Sequence, residues 1–345
     1  MNDIEIIQPL VRGNIRELCP YSTARDEYQG ELGVFLDANE SPYDNGWNRY
    51  PDPHQKLLKD KISQIKGIQS QNLFLGNGSD EAIDLMFRIF CTPGKDNAVS
   101  IDPSYGMYQV AAATNDIEFR RVALGNDFSL PQEQLLQHCD QNTKLMFICS
   151  PNNPSGNAFS QEEILEVADK FKGILVVDEA YIDFSEKGSM ISSIASHPRI
   201  VVLQTLSKAW GLAGLRIGLA IAHPYIISLM SMVKYPYNLS CAVQKIALEA
   251  LENGIEDKVE CIKREREAMA QKLKSIACVE EIYPSDANFL LVKTRDADSI
   301  YNYLIDKGII VRNRNKVKLC GNCLRISIGL PEENQQLISY LNQYE

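Results

Sequence analysis

Between about positions 72 and 222, short apolar runs rich in β-branched residues alternate with amphipathic stretches. The runs are AVSI (98–101), KLMFIC (144–149), ILVVD (174–178), IVVLQ (200–204) and IGLAIA (217–222). They are short and nearly continuous in apolar character, which predicts strands buried on both faces. Among the intervening stretches, 161–170 reads as a helix. Ser160 stands where an N-cap belongs, and Glu163 three residues on completes a capping box. Buried strands alternating with helices predict a mostly parallel sheet covered by helices on both faces.

From about Ser240 the pattern changes. Two long helical segments come first, and in the second Val259, Ile262, Met269, Leu273 and Ile276 recur at helical spacing. Short strands then surround another helix: ANFLLVK (287–293), GIIVR (308–312) and CLRISIG (323–329). The segment before Asn39 is polar and rich in turn residues, and is expected to fold onto the second domain or a partner subunit. The predicted class is α/β. A large domain spans 39–240, and a smaller α/β domain is built from 241–345 together with the N-terminal segment, 1–38.

A chain of 345 residues, 45% hydrophobic and 23% charged, suits two domains with ordinary cores. Its net charge of -10 and pI near 5.1 argue against a nucleic-acid or anionic-membrane surface. No apolar run approaches the roughly 20 residues of a membrane span. The start, MNDIEIIQPLVRGN, lacks the basic and apolar regions of a signal peptide. The nine cysteines are odd in number and scattered, the usage of reduced thiols in a cytoplasmic protein. Cys320 and Cys323 form a CxxC with no second pair nearby, which reads as ordinary thiols.

Chemistry concentrates where strands end. KLMFICS runs into Asn152 and Asn153, ILVV into Asp178 and Tyr181, and IVVLQTL into Ser207 and Lys208. In an open parallel sheet, ligands bind beyond the carboxyl ends of the strands, so these groups would meet in one crevice. Each alone has an ordinary explanation: a solvated lysine, a turn-forming aspartate, an Asn-Pro turn. As an ordered set they suit pyridoxal 5'-phosphate. Lys208 would be the amine that joins the cofactor's aldehyde, its pKa lowered by a desolvated pocket. Asp178 would keep the ring nitrogen protonated, and Asn153 and Tyr181 would donate to the ring's phenolic oxygen.

A phosphate site would lie at Gly76 to Glu81, where glycines precede the helix-like AIDLMFRIF. Free N–H groups and the positive dipole end of a helix N-terminus bind phosphate there. A plain strand–turn–helix with Ser79 as N-cap is the simpler alternative. Ser207 and Arg216 would add a hydroxyl and a permanent charge. Tyr105 is placed to stack on the pyridine ring, or to join the core.

With these residues in view, TLSKAWGLAGLRIG (205–218) resembles the lysine motif of the fold-type I aminotransferases. SPNNPSG (150–156), VVDEAY (176–181) and DPSYGMY (102–108) fall in that family's order. LCPYSTAR (18–25), LDANESPY (36–43), RYPDP (49–53), GIIVR and CLRISIG resemble the histidinol-phosphate aminotransferase family within it. The resemblance covers nearly the whole chain. It implies Lys208 as the Schiff-base lysine, Asp178 as the pyridinium partner, Asn153 and Tyr181 at the ring oxygen, and Tyr105 on the ring. It implies the backbone of Gly78, Ser79 and Asp80, with Ser207 and Arg216, at the cofactor phosphate. For the substrate it implies Tyr21, Arg312 and Arg325 at the phosphate or carboxylate and Asn39 close by. Tyr50 would reach across a homodimer interface. Ser79 and Ala82 depart from the family's GADEG-like turn, and Gln204 replaces an arginine that often precedes TLSK.

The activity so implied is transfer of an amino group between histidinol phosphate and 2-oxoglutarate in histidine biosynthesis. No metal is expected, and the partners are small molecules and a second subunit. Threonine-phosphate decarboxylase and aromatic aminotransferase are enzymatic alternatives on the same scaffold. A regulator that senses pyridoxal phosphate is the non-enzymatic one. It calls for an added DNA-binding module and a basic face, for which neither the length before the first motif nor the charge leaves room.

Overall fold

The computed structural model describes residues 3–21 and 33–344. Seven strands form the large sheet: β1 (Leu73–Asn77), β2 (Asn97–Asp102), β3 (Glu118–Ala123), β4 (Thr143–Cys149), β5 (Ile174–Asp178), β6 (Ile200–Thr205) and β7 (Ile217–Ile221). Their order is β1-β7-β6-β5-β4-β2-β3. The pairs β6–β5, β5–β4, β4–β2 and β2–β3 are parallel, and β7 runs antiparallel to both its neighbours.

The central strands are buried on both faces because alternate side chains feed two separate cores. Leu75, Val99, Met146, Val177, Val202 and Leu219 enter one. Phe74, Ala98, Phe147, Val176, Val201 and Ala220 enter the other. Helices Lys56–Lys66 and Gln161–Lys170 cover the first face, and Ser79–Phe90 and Pro224–Val233 the second. The expected capping box is present: Ser160 Oγ accepts from the Glu163 amide, and Glu163 Oε2 accepts from the Ser160 amide at 2.8 Å.

A second sheet follows in the order β10-β11-β9-β8, all antiparallel. Its strands are β8 (Val279–Ile282), β9 (Phe289–Thr294), β10 (Arg312–Asn313) and β11 (Cys323–Ser327). Met269, Leu290, Ile300, Ile326 and Leu337 sit in the core that this sheet shares with helices Glu256–Leu273, Ala297–Asp306 and Pro331–Asn342. Within GIIVR only Arg312 joins the ladder, because β10 is an edge of two residues.

The beginning of the chain corrects one expectation. Residues 3–16 dock on the large domain, with Ile7, Val11 and Ile15 buried among Phe87, Ile89 and Phe90. The Arg12 amide donates to Ile89 O at 3.0 Å, and Arg12 Nη1 donates to Arg88 O at 2.8 Å. These bonds satisfy carbonyls that the end of helix Ser79–Phe90 leaves open. Among the described residues, the hydrophobic cluster that seats Ile7, Val11 and Ile15 is drawn from the large domain. Part of LCPYSTAR, from Ser22 on, lies outside the described residues.

Candidate active site

Three parallel strands deliver their carboxyl ends to one cleft. Past β4, Asn152 locks the loop: its Nδ2 donates to Pro103 O at 3.0 Å and to Ser155 Oγ at 2.8 Å. Asn153 then faces Tyr181 across the cleft, Nδ2 to phenol oxygen 3.5 Å. Past β6, Thr205 Oγ1 donates to Ile217 O at 3.2 Å and accepts from the Ser207 amide at 3.1 Å. That tie presents Lys208, whose Nζ lies 5.5 Å from the centre of the Tyr181 ring. Lys208 is open to solvent, as an amine that meets a substrate has to be. The cleft walls still desolvate it enough to lower its pKa, helped by the charge of Arg325 and opposed by Asp178.

Asp178 is buried at the floor of the cleft. Its Oδ2 accepts from Tyr108 Oη at 2.6 Å and its Oδ1 from the Ala180 amide at 3.1 Å. Burial raises its pKa, while the Tyr108 and Ala180 bonds work the other way. A carboxylate held here without a bonded cation is costly, and a protonated ring nitrogen would offset that cost.

At the other end, Gly78 precedes helix Ser79–Phe90 with φ +77°, and its amide donates to Arg216 O at 2.6 Å. Gly78, rather than Ser79, is the N-cap, and no side chain caps this helix. A Cβ on Gly78 would lie 2.6 Å from Arg216 Nη2, and one on Gly218 would lie 2.0 Å from the Ser79 nitrogen. The two glycines therefore let bare backbone and a guanidinium close on one point. Asp80 ties this corner together, accepting from Arg216 Nη2 at 3.3 Å and from Tyr105 Oη at 3.0 Å.

Every cofactor position expected from the sequence lines this one cleft: Gly78, Ser79, Asp80, Tyr105, Asn153, Asp178, Tyr181, Ser207, Lys208 and Arg216. The donor set fits pyridoxal phosphate from end to end. An anion cradle with free helix amides stands at one side, a buried carboxylate at the floor, two hydrogen-bond donors opposite and an amine above. Among the described residues no group of three or more His, Cys, Asp or Glu side chains is placed to hold a metal ion.

The substrate positions divide. Arg325 lies beside the cleft, its Nη1 donating to Asn153 Oδ1 at 2.6 Å. Arg312 is its cross-strand partner on β10. Tyr21 is 75% exposed. Asn39 and Tyr50 line a separate hollow with Trp47 and Ser240, where Tyr50 stacks on Tyr237 with ring centres 4.5 Å apart.

Tyr108 escaped the sequence reading. Its signal was its place three residues beyond Tyr105 in DPSYGMY, just past the end of β2. Cys149 also lines the cleft, but burial raises its thiol pKa and leaves it unreactive. Burial likewise pushes Cys320 up to about 12 and Cys323 up to about 11, in keeping with ordinary buried thiols.

An amine, a buried carboxylate and an anion cradle at the strand ends of an α/β sheet define a class of enzyme, and the wider comparisons agree. The chain belongs to the class I and II aminotransferase family, whose model matches residues 30–341. Among its relatives, a histidinol-phosphate aminotransferase from Bacteroides fragilis is 49% identical over 345 residues, covering 99% of this chain and 100% of the relative. The crystal structure of the histidinol-phosphate aminotransferase from Clostridium acetobutylicum shares the fold, with TM-score 0.79 at 22% identity, covering 86% of this chain and 90% of that one. So does the enzyme from Sinorhizobium meliloti solved in complex with pyridoxal-5'-phosphate, with TM-score 0.77 at 24% identity, covering 86% and 82%.

Proposed function

We propose that the chain transfers an amino group between histidinol phosphate and 2-oxoglutarate, giving imidazole acetol phosphate and glutamate, as a step of histidine biosynthesis. The observation that carries this reading is the placement of Arg325 against Asn153, which sets an anion-reading group beside Lys208 and Asp178. The 49% identity over full length to a relative of that name supports the substrate choice.

Pyridoxal phosphate, held by the cleft residues named above, would supply an electrophilic carbon for the amine and a sink for the electron pair left when the α-proton departs. The chain supplies the rest. Lys208 Nζ, neutral more often than an ordinary lysine, takes the proton from the substrate α-carbon in one half-reaction and returns one there in the other. Asp178 holds positive charge at the floor of the cleft, and Tyr108 holds Asp178. Asn153 and Tyr181 orient the ring from its oxygen side. Arg325 and Arg312 grip the phosphate or carboxylate, since planar guanidinium groups take either anion through paired bonds. The two substrates use one site in turn, so the kinetics are ping-pong.

The active unit is a homodimer in the cytoplasm. Tyr43, Trp47, Tyr50, Tyr235, Val34 and Leu36 are exposed large hydrophobic side chains, and Trp47 and Tyr50 line one hollow, which a second subunit would cover. Tyr21, Asn39 and Tyr50 would complete the substrate site through that contact. Nine free cysteines suit a reducing compartment.

The test is a set of half-reactions on the purified holoenzyme, followed by the visible absorbance of the cofactor. Histidinol phosphate and glutamate should each convert it, with no carbon dioxide trapped. Conversion by threonine phosphate alone, with carbon dioxide released, would replace this reading with the decarboxylase one. Conversion by phenylalanine in preference to histidinol phosphate would replace it with the aromatic one.

A further inference from the structure

Arg314 lies two residues beyond Arg312 and continues the β10–β11 ladder, its amide donating to Cys323 O at 2.8 Å. Strand alternation puts the Arg314 side chain on the same face as Arg312, whose ladder partner is Arg325. Three guanidinium groups therefore gather on one small patch at the edge of the cleft. The three lie within one another's fields, and Tyr181 lies in the fields of Arg325 and Arg314.

The cluster is uncompensated. Among the described residues none of the three makes an ion pair with a carboxylate. Arg325 has its bond to Asn153, but the Nε of Arg314 is buried with no hydrogen-bond partner at all. Burial, then the charges of Arg325 and Arg312, bring the Arg314 pKa down to about 10. Arg312 is exposed, but Arg314 and Arg325 are half-buried, and half-buried guanidinium groups without a carboxylate partner are expensive and ordinarily paired in a folded protein.

We propose that Arg314 is a further substrate-binding residue that reads the phosphate of a phosphorylated amine, forming with Arg312 and Arg325 a three-guanidinium anion site. This rests on the reading of the enzyme as one that accepts histidinol phosphate. A phosphate monoester gathers nearly two negative charges and three acceptor oxygens at one point, which three converging guanidinium groups match. Glutamate spreads its two charges over separated carboxylates and presents at most one of them to the cluster. Arg314 thus discriminates between the two substrates, favouring the phosphorylated one.

The holoenzyme is compared as wild type, R314Q and R314K. Removing the charge in R314Q should raise KM for histidinol phosphate about 10- to 100-fold with a small change in kcat, and change the glutamate half-reaction less than about threefold. R314K should recover part of the loss. A second measurement does not depend on turnover: thermal unfolding of each holoenzyme against inorganic phosphate. Wild type should gain stability with phosphate, and R314Q should lose most of that gain. Without phosphate R314Q should melt no lower than wild type, because an unpaired charge has gone. The proposal is overturned if R314Q keeps the phosphate-dependent gain, if both half-reactions weaken equally, or if R314Q melts lower without anion, which marks a structural role. A wild-type enzyme that gains stability with phosphate yet ignores histidinol phosphate sinks only the substrate reading. One that shows no phosphate effect sinks the arginine site itself.

Discussion

Arg325 Nη1 donates to Asn153 Oδ1 at 2.6 Å, across 172 positions of sequence and from the small sheet to the large domain. The same amide offers Nδ2 to Tyr181. One side chain therefore joins β11 of the small sheet to Tyr181 on the cleft wall. N153D would turn this neutral contact into an ion pair that occupies Arg325 and competes with the substrate's own anion. The expected result is a KM raised at least about tenfold for both substrates. Measurement of the two half-reactions separately checks it, and an unchanged KM would count against Arg325 as the anion reader.

Lys208→Ala should abolish transamination, with a loss of at least about 10³-fold, while the far-ultraviolet spectrum and melting temperature stay close to wild type. Turnover by a purified, cofactor-loaded variant would remove Lys208 from the mechanism.

The Lys208 pKa lies below the ordinary lysine value through burial first and the charge of Arg325 second. Lowering the pKa of an amine enlarges its neutral, nucleophilic fraction at a given pH. R325Q should therefore move the titration of Lys208 upward. Labelling of the cofactor-free protein with an amine reagent across pH, read at Lys208 by mass spectrometry, measures this directly. A shift downward, or none, would mean that Arg325 does not act on Lys208 through its charge.

Tyr108→Phe removes the phenolic hydrogen that Asp178 accepts. The buried carboxylate loses a partner, and its pKa rises further. A fall in kcat of about tenfold with KM nearly constant is expected, with a stability loss of about 1 kcal/mol. If kcat is unchanged, Tyr108 is a packing residue.

Glu179, next to Asp178, points away into a buried nest. Its oxygens accept from Ser189 Oγ, the Met190 amide and Gln204 Nε2. The Oε1 of Gln204 has no partner. With no cation bonded to it, burial raises the Glu179 pKa to about 7. The unfolded chain has a glutamate pKa of about 4.3. Between those values the folded state holds the extra proton, so stability falls as pH rises from about 4.5 to 7. E179Q should flatten this part of the pH–stability profile by on the order of 2–3 kcal/mol relative to wild type. Denaturant unfolding at pH 5 and pH 7.5 checks the sign. Equal slopes in the two proteins would show that Glu179 is ionised throughout.

The central strands and the ordering of the cleft motifs were legible because burial on both faces leaves continuous apolar runs, and strand ends locate a crevice. Two of the edge strands were not. β3 is EFRRVA and β8 is VEEI, both polar because one side meets solvent, so neither reads as a buried run. The docking of Ile7, Val11 and Ile15 was hidden because a short apolar spacing does not say which surface it will cover. Tyr108 and Arg314 were missed for a related reason. Each acquires its role from a neighbour brought close by packing, Asp178 in one case and the paired strands β10 and β11 in the other. The residues expected at the substrate show the same limit. Arg325 is fixed by the chain's own fold, whereas Tyr21, Asn39 and Tyr50 stand on the surface apart from the cleft.

The meeting of Gly78 and Gly218 has a bearing on how such an enzyme diverges. β7 passes so close under the start of helix Ser79–Phe90 that a Cβ on Gly218 would meet the backbone of Gly78 and Ser79, and the positive φ of Gly78 strains any other residue there. The close approach of the main chain at this corner therefore rests on two positions that contribute no side chain, and Arg216 brings its guanidinium to the same point. The side chains of Ser79 and Ala82, which depart from the turn expected in the sequence, do not set this approach. Two sequences can thus differ along the visible letters of this turn and keep the same grip, while a single added carbon at position 218 would undo it.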